Sequence, residues 1–541
     1  MSGRSFRGRT LASNNERTEQ AVSASREKKT RADATYVQRR NNKEEDKDRR
    51  KHILYGIAGG VIAVLAIALL VWDSGFFQKR STAVTIDGEN FGPAVVQYYY
   101  QTAWNNAYYG SVMGDEDYAS FDYNADPAGQ IYDEETGQTW RDFLLDKAID
   151  DLTQVTALVH AAQAEGYTLT EADQALYDSE MASLDQTWRS SGQYDSLSSY
   201  LKLNFGSYMD EDIMRDLYAD QVLADSYRNH YQDGLTYTDE ELESYYGEHA
   251  NELDNFGYSV FTIQASVTAE TDEDGNTVEK TEEETQAEFD TAKAEAQTLA
   301  QEIQNRLAAG EDPQALADEY GDRLYSSSIH AVTVGSTLAT TATAYCDWLY
   351  DGARTAGEVS LQELDRSESQ VYNYYVVQFD SRERDEDPTA DVRHILVSAG
   401  QSPTEESFAQ AEEKAQALLD QWKAGEATED SFAALAVTNS ADSGSASTGG
   451  LYTGISSIDS LEPNFLNWAL DSARQPGDTG IVKNESSAIQ GWHIMYFVGW
   501  DDPAWKCTAR DKLRAADASQ WLEGLTEAAQ VTRGSGLNNV K

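Results

Sequence analysis

His394 lies in Val392-Arg393-His394-Ile395-Leu396-Val397, and His493 lies in Gly491-Trp492-His493-Ile494-Met495-Tyr496-Phe497. Both runs are apolar, β-branched or aromatic and read as short strands, which would hold each imidazole on a fixed face. Asp442 stands between them, in a small-residue loop from Asn439 to Gly450. Two imidazoles and a carboxylate can fix each other's tautomers and form a polar floor for a substrate; a lone strand histidine is more often a hydrogen-bonded core residue. A metal reading needs a third close ligand of the right type, and Asp442 could serve. The chain has no phosphate loop, no HExxH and no GxSxG. The elements that must position the three residues include a helix-period segment, Phe408 to Trp422, with Ala411, Ala415, Leu418, Leu419 and Trp422 on one side. Phe432 to Ala436 and Phe465 to Leu470 follow, and a β-α-α-loop-β unit of this size predicts a compact α+β domain over 391–498.

The order Arg-His-Ile-Leu-Val, Ser440-Ala441-Asp442-Ser443, Gly449-Gly450, Glu462-Pro463-Asn464-Phe465 and Gly491-Trp492-His493-Ile494 resembles the parvulin family of peptidyl-prolyl isomerases. The resemblance implies a four-stranded antiparallel sheet with flanking helices and paired histidines side by side under a substrate groove. Carried over by position, the pair is His394 and His493, Asp442 falls where the family places Asp or Cys, and Leu461 and Phe465 fall on the walls of the proline pocket. The sequence departs from the family after the glycine pair: the usual Gly-Gly-Asp-Leu-Gly is here Gly449-Gly450-Leu451-Tyr452-Thr453-Gly454.

Such an enzyme rotates an X-Pro amide over a barrier of roughly 18–20 kcal/mol with no covalent step. Leu461, Phe465 and Met495 would grip the proline ring. His394, His493 and Asp442 would shape a polar floor that favours the twisted amide. No nucleophile, cofactor or metal is required.

At 541 residues the chain is long enough for three or four domains. Its formal charge of −51 is uneven: residues 1–52 hold 15 Lys/Arg against 8 Asp/Glu, leaving −58 for the remainder. The boundary is Ile53 to Trp72, twenty uncharged residues, enough at helical rise to span a bilayer core. The basic flank Lys47 to Lys51 predicts a cytoplasmic N-terminus and an extracytoplasmic bulk, a single-pass protein of the cell membrane. A cleaved signal peptide is the rival, but both the leading segment and the apolar run exceed signal-peptide norms. Residues 1–52 read as a disordered basic tail resting near anionic lipid rather than on nucleic acid.

Residues 82–253 predict a helical region with a leading strand, an Asp87-Gly88 turn and many tyrosines. Its layout resembles the N-terminal chaperone region of SurA-type and PrsA-type foldases. Residues 256–380 repeat the parvulin stretch: Trp348 to Gly357 aligns without gaps on Trp468 to Gly477, with five of ten positions identical. Tyr375 stands where His493 does, and the opening strand lacks a histidine, so this copy reads as degenerate. Asp272 to Asn276 fails the calcium-loop pattern, because Thr277 stands where glycine is needed. A hairpin followed by a solvated acidic run is expected at 268–286. Cys346 and Cys507 read as buried free thiols. Residues 504–541 predict a helix, Trp505 to Ala529, returning to the N-terminal region, and a polar tail. Two functions are open: a membrane-anchored isomerase and foldase acting on unfolded secreted polypeptides with X-Pro bonds, or a non-enzymatic holdase using both parvulin-like units as binding modules.

Overall fold

The computed structural model describes residues 79–267, 280–485 and 488–541, together with Lys28. The apolar run 53–72, the hairpin turn expected at 274–276 and the basic tail apart from Lys28 lie outside the described residues. Among the described residues no helix is long and apolar enough to cross a membrane.

The described chain starts with β1 (Val84–Ile86) and β2 (Glu89–Phe91). The turn residues Asp87 and Gly88 have φ of 48° and 89°, the paired positive angles of a tight hairpin turn. Helix α1 (Pro93–Met113) opens on a proline, which needs no N–H partner there, and stops at left-handed Gly114. A small hairpin of β3 (Ile131–Asp133) and β4 (Gln138–Thr139) leads into α2 (Trp140–Glu165). Next come α3 (Glu171–Ser191), α4 (Leu197–Phe205), α5 (Glu211–Gly234) and α6 (Asp239–Leu253). Trp140, Leu144, Val96, Leu201 and Met214 centre the core of this helical unit.

Two α+β units come after it. The first comprises β5 (Asn255–Ser266), α7 (Glu282–Ala308), α8 (Pro313–Tyr320), β6 (Ser326–Val334), α9 (Gly335–Thr341), α10 (Cys346–Tyr350), β7 (Val359–Arg366) and β8 (Val371–Glu383). The second comprises β9 (Pro388–Ser398), α11 (Glu405–Ala424), α12 (Glu429–Asn439), β10 (Leu451–Ile455), α13 (Pro463–Ala469), β11 (Thr479–Asn484) and β12 (Gly491–Pro503). Their sheets run β6-β5-β8-β7 and β10-β9-β12-β11, antiparallel throughout and identical in order. The repeated ten-residue segment makes the same bonds in both units. Gly357 N–H donates to Phe379 O at 2.8 Å, and Gly477 N–H to Phe497 O at 2.8 Å. Arg354 Nε donates to Trp348 O and Arg474 Nε to Trp468 O, both at 3.1 Å, each guanidinium lying over its own indole. The acidic run is exposed, as expected of solvated surface, and it forms the first turn of α7: Thr281 and Glu284 form a capping box, and carboxylates there favour the helix dipole.

In the second sheet the period of two separates two layers. Ile395, Val397 and Ile494 face α11 and α12, packing on Leu418, Leu419 and Phe432. Val392, Met495 and Phe497 face α13, packing on Phe465 and Trp468. His394 and His493 belong to this second face.

The chain then returns to its start. Helix α14 (Ala504–Ala528) packs Trp505 and Leu513 on Leu242 and Leu253 of α6. Further along, Trp521, Leu522 and Leu525 cover Leu158 and Ala162 of α2 and Tyr227 of α5. The last residues, expected as a polar tail, form β13 (Val531–Arg533), which pairs with β1. Gly534 and Gly536 N–H then donate to Ala83 O and Thr82 O. Cys346 and Cys507 are buried free thiols.

Candidate active site

The two histidines meet diagonally rather than directly across the strands. His394 is registered with Met495 and His493 with Leu396, a spacing that long or aromatic side chains span. Their Nδ1 atoms are 2.9 Å apart, and both residues are buried. On the other side of the ring, His394 Nε2 lies 2.9 Å from Asp442 Oδ2 and 3.1 Å from Ser445 Oγ. Asp442 also accepts from the Ser445 hydroxyl at 2.6 Å, the Tyr452 hydroxyl at 3.2 Å and the Gly444 N–H at 3.1 Å. His394 first, then the Ser445 hydroxyl and the Gly444 N–H, hold its carboxyl well below the usual carboxylate range. Burial above all, with His394 beside it, pushes His493 down to about 3, so its ring is neutral at neutral pH. A carboxylate facing Nε2 places a proton there on His394, and the contact between the two Nδ1 atoms holds one proton. His493 Nε2 is buried and has no hydrogen-bond partner among the described residues.

The loop that presents Asp442 is tied to β9 along its length. Ala441 N–H donates to Leu396 O, and Leu396 N–H to Ser440 Oγ. Arg393 reaches from the opposite face to Glu429 of α12 and to the carbonyls of Thr448 and Gly449. The glycine pair is a steric requirement. Gly449 and Gly450 have φ of 69° and 71°, and a Cβ on Gly450 would sit 2.0 Å from His394 O.

Phe465 is set by its helix start. Glu462 caps α13, accepting the Phe465 N–H at 2.9 Å, with Pro463 at the first helical position. The phenyl ring stands edge-on to both imidazoles, with centroids 5.2 Å away in each case. A groove of about 270 Å³ opens over this floor, lined by His394, His493, Tyr452, Leu461, Phe465 and Ile489 among others.

Five of the six expected site residues thus converge: His394, Asp442, Leu461, Phe465 and His493 all line the groove. Met495 does not. It is fully buried beneath Phe465 with Val392 and Phe497. It shares the face of His493 but sits two residues further along β12, under α13 rather than beside the opening. Ser445 and Tyr452 are site residues that sequence reasoning misses. Ser445 is one of several small residues in its loop. Tyr452 has a signal, since it occupies the position after Gly-Gly where the family pattern carries leucine. Among the described residues no group of three or more His, Cys, Asp and Glu is disposed to hold a metal ion.

The first unit shows what the same plan looks like without this chemistry. Val260 is registered with Val377 as His394 is with Met495, and Tyr375 with Thr262 as His493 is with Leu396. At the place of Phe465 stands Tyr345, whose ring centroid lies 5.4 Å from that of Tyr375 and 5.9 Å from that of Tyr258. Val260 and Tyr375 occupy the floor positions of the two histidines, and Tyr345 occupies the wall position of Phe465.

Residues 394–499 match the family model for a rotamase domain, the PPIC-type PPIASE domain. Two solved structures are similar to parts of the chain. The peptidylprolyl isomerase PrsA from Bacillus anthracis is 21% identical, covering 26% of this chain and 58% of that one, with a TM-score of 0.17. PrsA from Bacillus cereus is 15% identical, covering 48% of this chain and 90% of that one, with a TM-score of 0.19. Likenesses this slight say nothing of function. A comparison with curated proteins found no match. With the family model and the histidine pair on one stretch, residues 394–499 are a parvulin-type peptidyl-prolyl cis-trans isomerase domain.

Proposed function

We propose that the chain is a membrane-anchored, extracytoplasmic prolyl isomerase and foldase, acting on unfolded or partly folded secreted polypeptides. The observation that carries the isomerase reading is the chain of contacts from His493 through His394 to Asp442 beneath an apolar groove. The anchor reading rests on the uncharged run 53–72 and the charge step across it.

In this mechanism the proline ring seats against Phe465 and Leu461, which shed water from it and from the amide before it. Removing water from a planar amide weakens its resonance dipole, so loss of conjugation costs less there. Asp442 holds His394, His394 holds His493, and the rings are fixed before substrate arrives, so no reorganisation accompanies twisting. His493 Nε2 is buried beneath the groove without a partner among the described residues, an uncompensated polar atom of its floor. No bond to the protein forms or breaks.

The first unit lacks both histidines, and we read it as a degenerate copy that binds or braces rather than catalyses. The test is a refolding reaction limited by a non-native X-Pro isomer. The full chain should accelerate its slow phase, and His394→Ala should abolish the acceleration. An unaccelerated slow phase combined with suppressed client aggregation would turn the reading to a holdase.

A further inference from the structure

A second cavity lies in the helical unit, away from the proline groove. It encloses about 380 Å³, lined by Phe91, Val95, Leu152, Val155, Val159 and Leu217, within the range of about 300–1,000 Å³ usual for ligand sites. Three carboxylates also line it: Glu89, Asp216 and Asp220. Asp220 is half-buried on α5 and makes no hydrogen bond or ion pair with a described residue. Burial, with Glu89 and Asp216 adding to it, pushes this carboxyl up to about 6. No Lys or Arg of the described residues lines the cavity. His160 is the nearby group able to carry positive charge, and it lies 3.1 Å from Glu89. A carboxylate kept from water without a cation is costly, and a ligand cation would offset that cost.

The second observation is an open sheet edge. In the order β13-β1-β2, strand β2 pairs with β1 alone, so its outer edge has no partner strand among the described residues. Glu89 and Phe91 stand two apart on β2 and both line the cavity. A strand added to that edge would alternate its side chains in the same way, setting every second one over the cavity.

We propose that this cavity is a peptide-binding site separate from the proline groove. Its occupant is an extended stretch of unfolded polypeptide carrying an apolar residue and, two positions away, a Lys or Arg. The backbone lies along β2, the apolar side chain enters between Val95 and Val155, and the cation faces Asp220 and Glu89. The site needs no proline and does not depend on the isomerase reading.

The test uses the full chain and fluorescence anisotropy with two labelled, proline-free peptides. One alternates Leu and Lys at every second position; the other carries Glu for Lys. The Lys peptide should bind, and should weaken roughly five- to tenfold with Asp220→Asn, as expected for losing one partly desolvated ion pair. Ala219→Arg, at an exposed position lining the cavity, supplies a cation from the protein and should block binding. Both variants should keep wild-type prolyl isomerase activity. The proposal fails if the Glu peptide binds as tightly, or if either variant, folded by circular dichroism, binds like wild type. It also fails if spermine, a cation with no backbone or apolar side chain, fully displaces the Lys peptide at equal concentration. Should Asp220→Asn not fold, Ala219→Arg decides.

Discussion

Phe465 separates the groove from the core, and replacing it tests both roles. The residue is 3% exposed and packs with Val392, Trp468, Met495 and Phe497 while its ring edges meet both imidazoles. Burial this deep makes the ring part of the core as well as the wall of the groove. Phe465→Ala should cost roughly 3–5 kcal/mol, as for buried phenylalanines generally, with the lower end favoured because the space opens into the groove. That much can unfold the domain, so Phe465→Leu is the cleaner probe, keeping most of the volume at a cost of about 1.5 kcal/mol or less. Several folding units make a single melting temperature hard to interpret. Hydrogen exchange of the β9 and β12 amides reads the stability of this sheet directly. Activity is read as kcat/KM on a proline tetrapeptide. Phe465→Leu should lose the flat wall and both edge contacts, lowering kcat/KM about tenfold or more, equivalent to about 1.4 kcal/mol of lost transition-state binding. A Phe465→Leu chain with wild-type kcat/KM, beside an active parent, would refute the assignment of the pocket.

Acid should loosen the second α+β unit. His493 is held down near 3 from an ordinary value of about 6.5, so the unfolded chain takes up the proton that the folded one refuses. Its stability contribution is complete above about 6.5 and falls by up to about 1.4 kcal/mol per pH unit toward 3. Asp442, also held low, adds loss in the same direction below its ordinary range; protection of β12 amides against pH measures the sum. Tyr452→Phe removes one of the donors to Asp442 and should cost about 0.5–1.5 kcal/mol in the same exchange experiment, with a modest fall in kcat. Because Arg354 and Arg474 make matching bonds, Arg354→Ala and Arg474→Ala should each destabilise their own sheet, and only Arg474→Ala should affect isomerisation. Deleting 530–541 strips β1 of its partner strand β13, and hydrogen exchange should show β1 and α1 opening while β9 and β12 stay protected.

The site was legible where chemistry and periodicity agreed. Two strand histidines, a loop aspartate and an aromatic after a capped Pro are unusual residue types at fixed places, and all four meet. Met495 lies under α13 rather than in the groove, because strand period gives a face but not the depth along it, and the extent of α13 over the sheet is a tertiary fact. The diagonal pairing of the histidines escaped for the same reason: one strand's register against another is not written in either alone. The edge strands β6, β7, β10 and β11 had weak patterns because they are partly exposed and bury little. Helix α1 runs on to Met113, since its tyrosines continue a helical face and the stop signal is Gly114. The strand β13 was unreadable in a polar Gly/Ser/Asn tail, as its order comes from backbone bonds to β1 rather than from buried side chains. The repeat, by contrast, was visible from ten residues, because Trp, Asp, Arg and Gly there make a specific set of bonds.

The central claim is that this histidine–histidine–aspartate floor turns X-Pro bonds. Exchange spectroscopy by nuclear magnetic resonance on a peptide with one X-Pro bond measures that turnover with no coupled protease. Uncatalysed exchange takes tens to hundreds of seconds at 25 °C. The full chain at catalytic concentration should bring cis and trans peaks into exchange within about a second, well inside that uncatalysed time, while Phe465→Leu leaves them slower. Peaks that exchange at the uncatalysed rate with folded, full-length chain present would contradict the account.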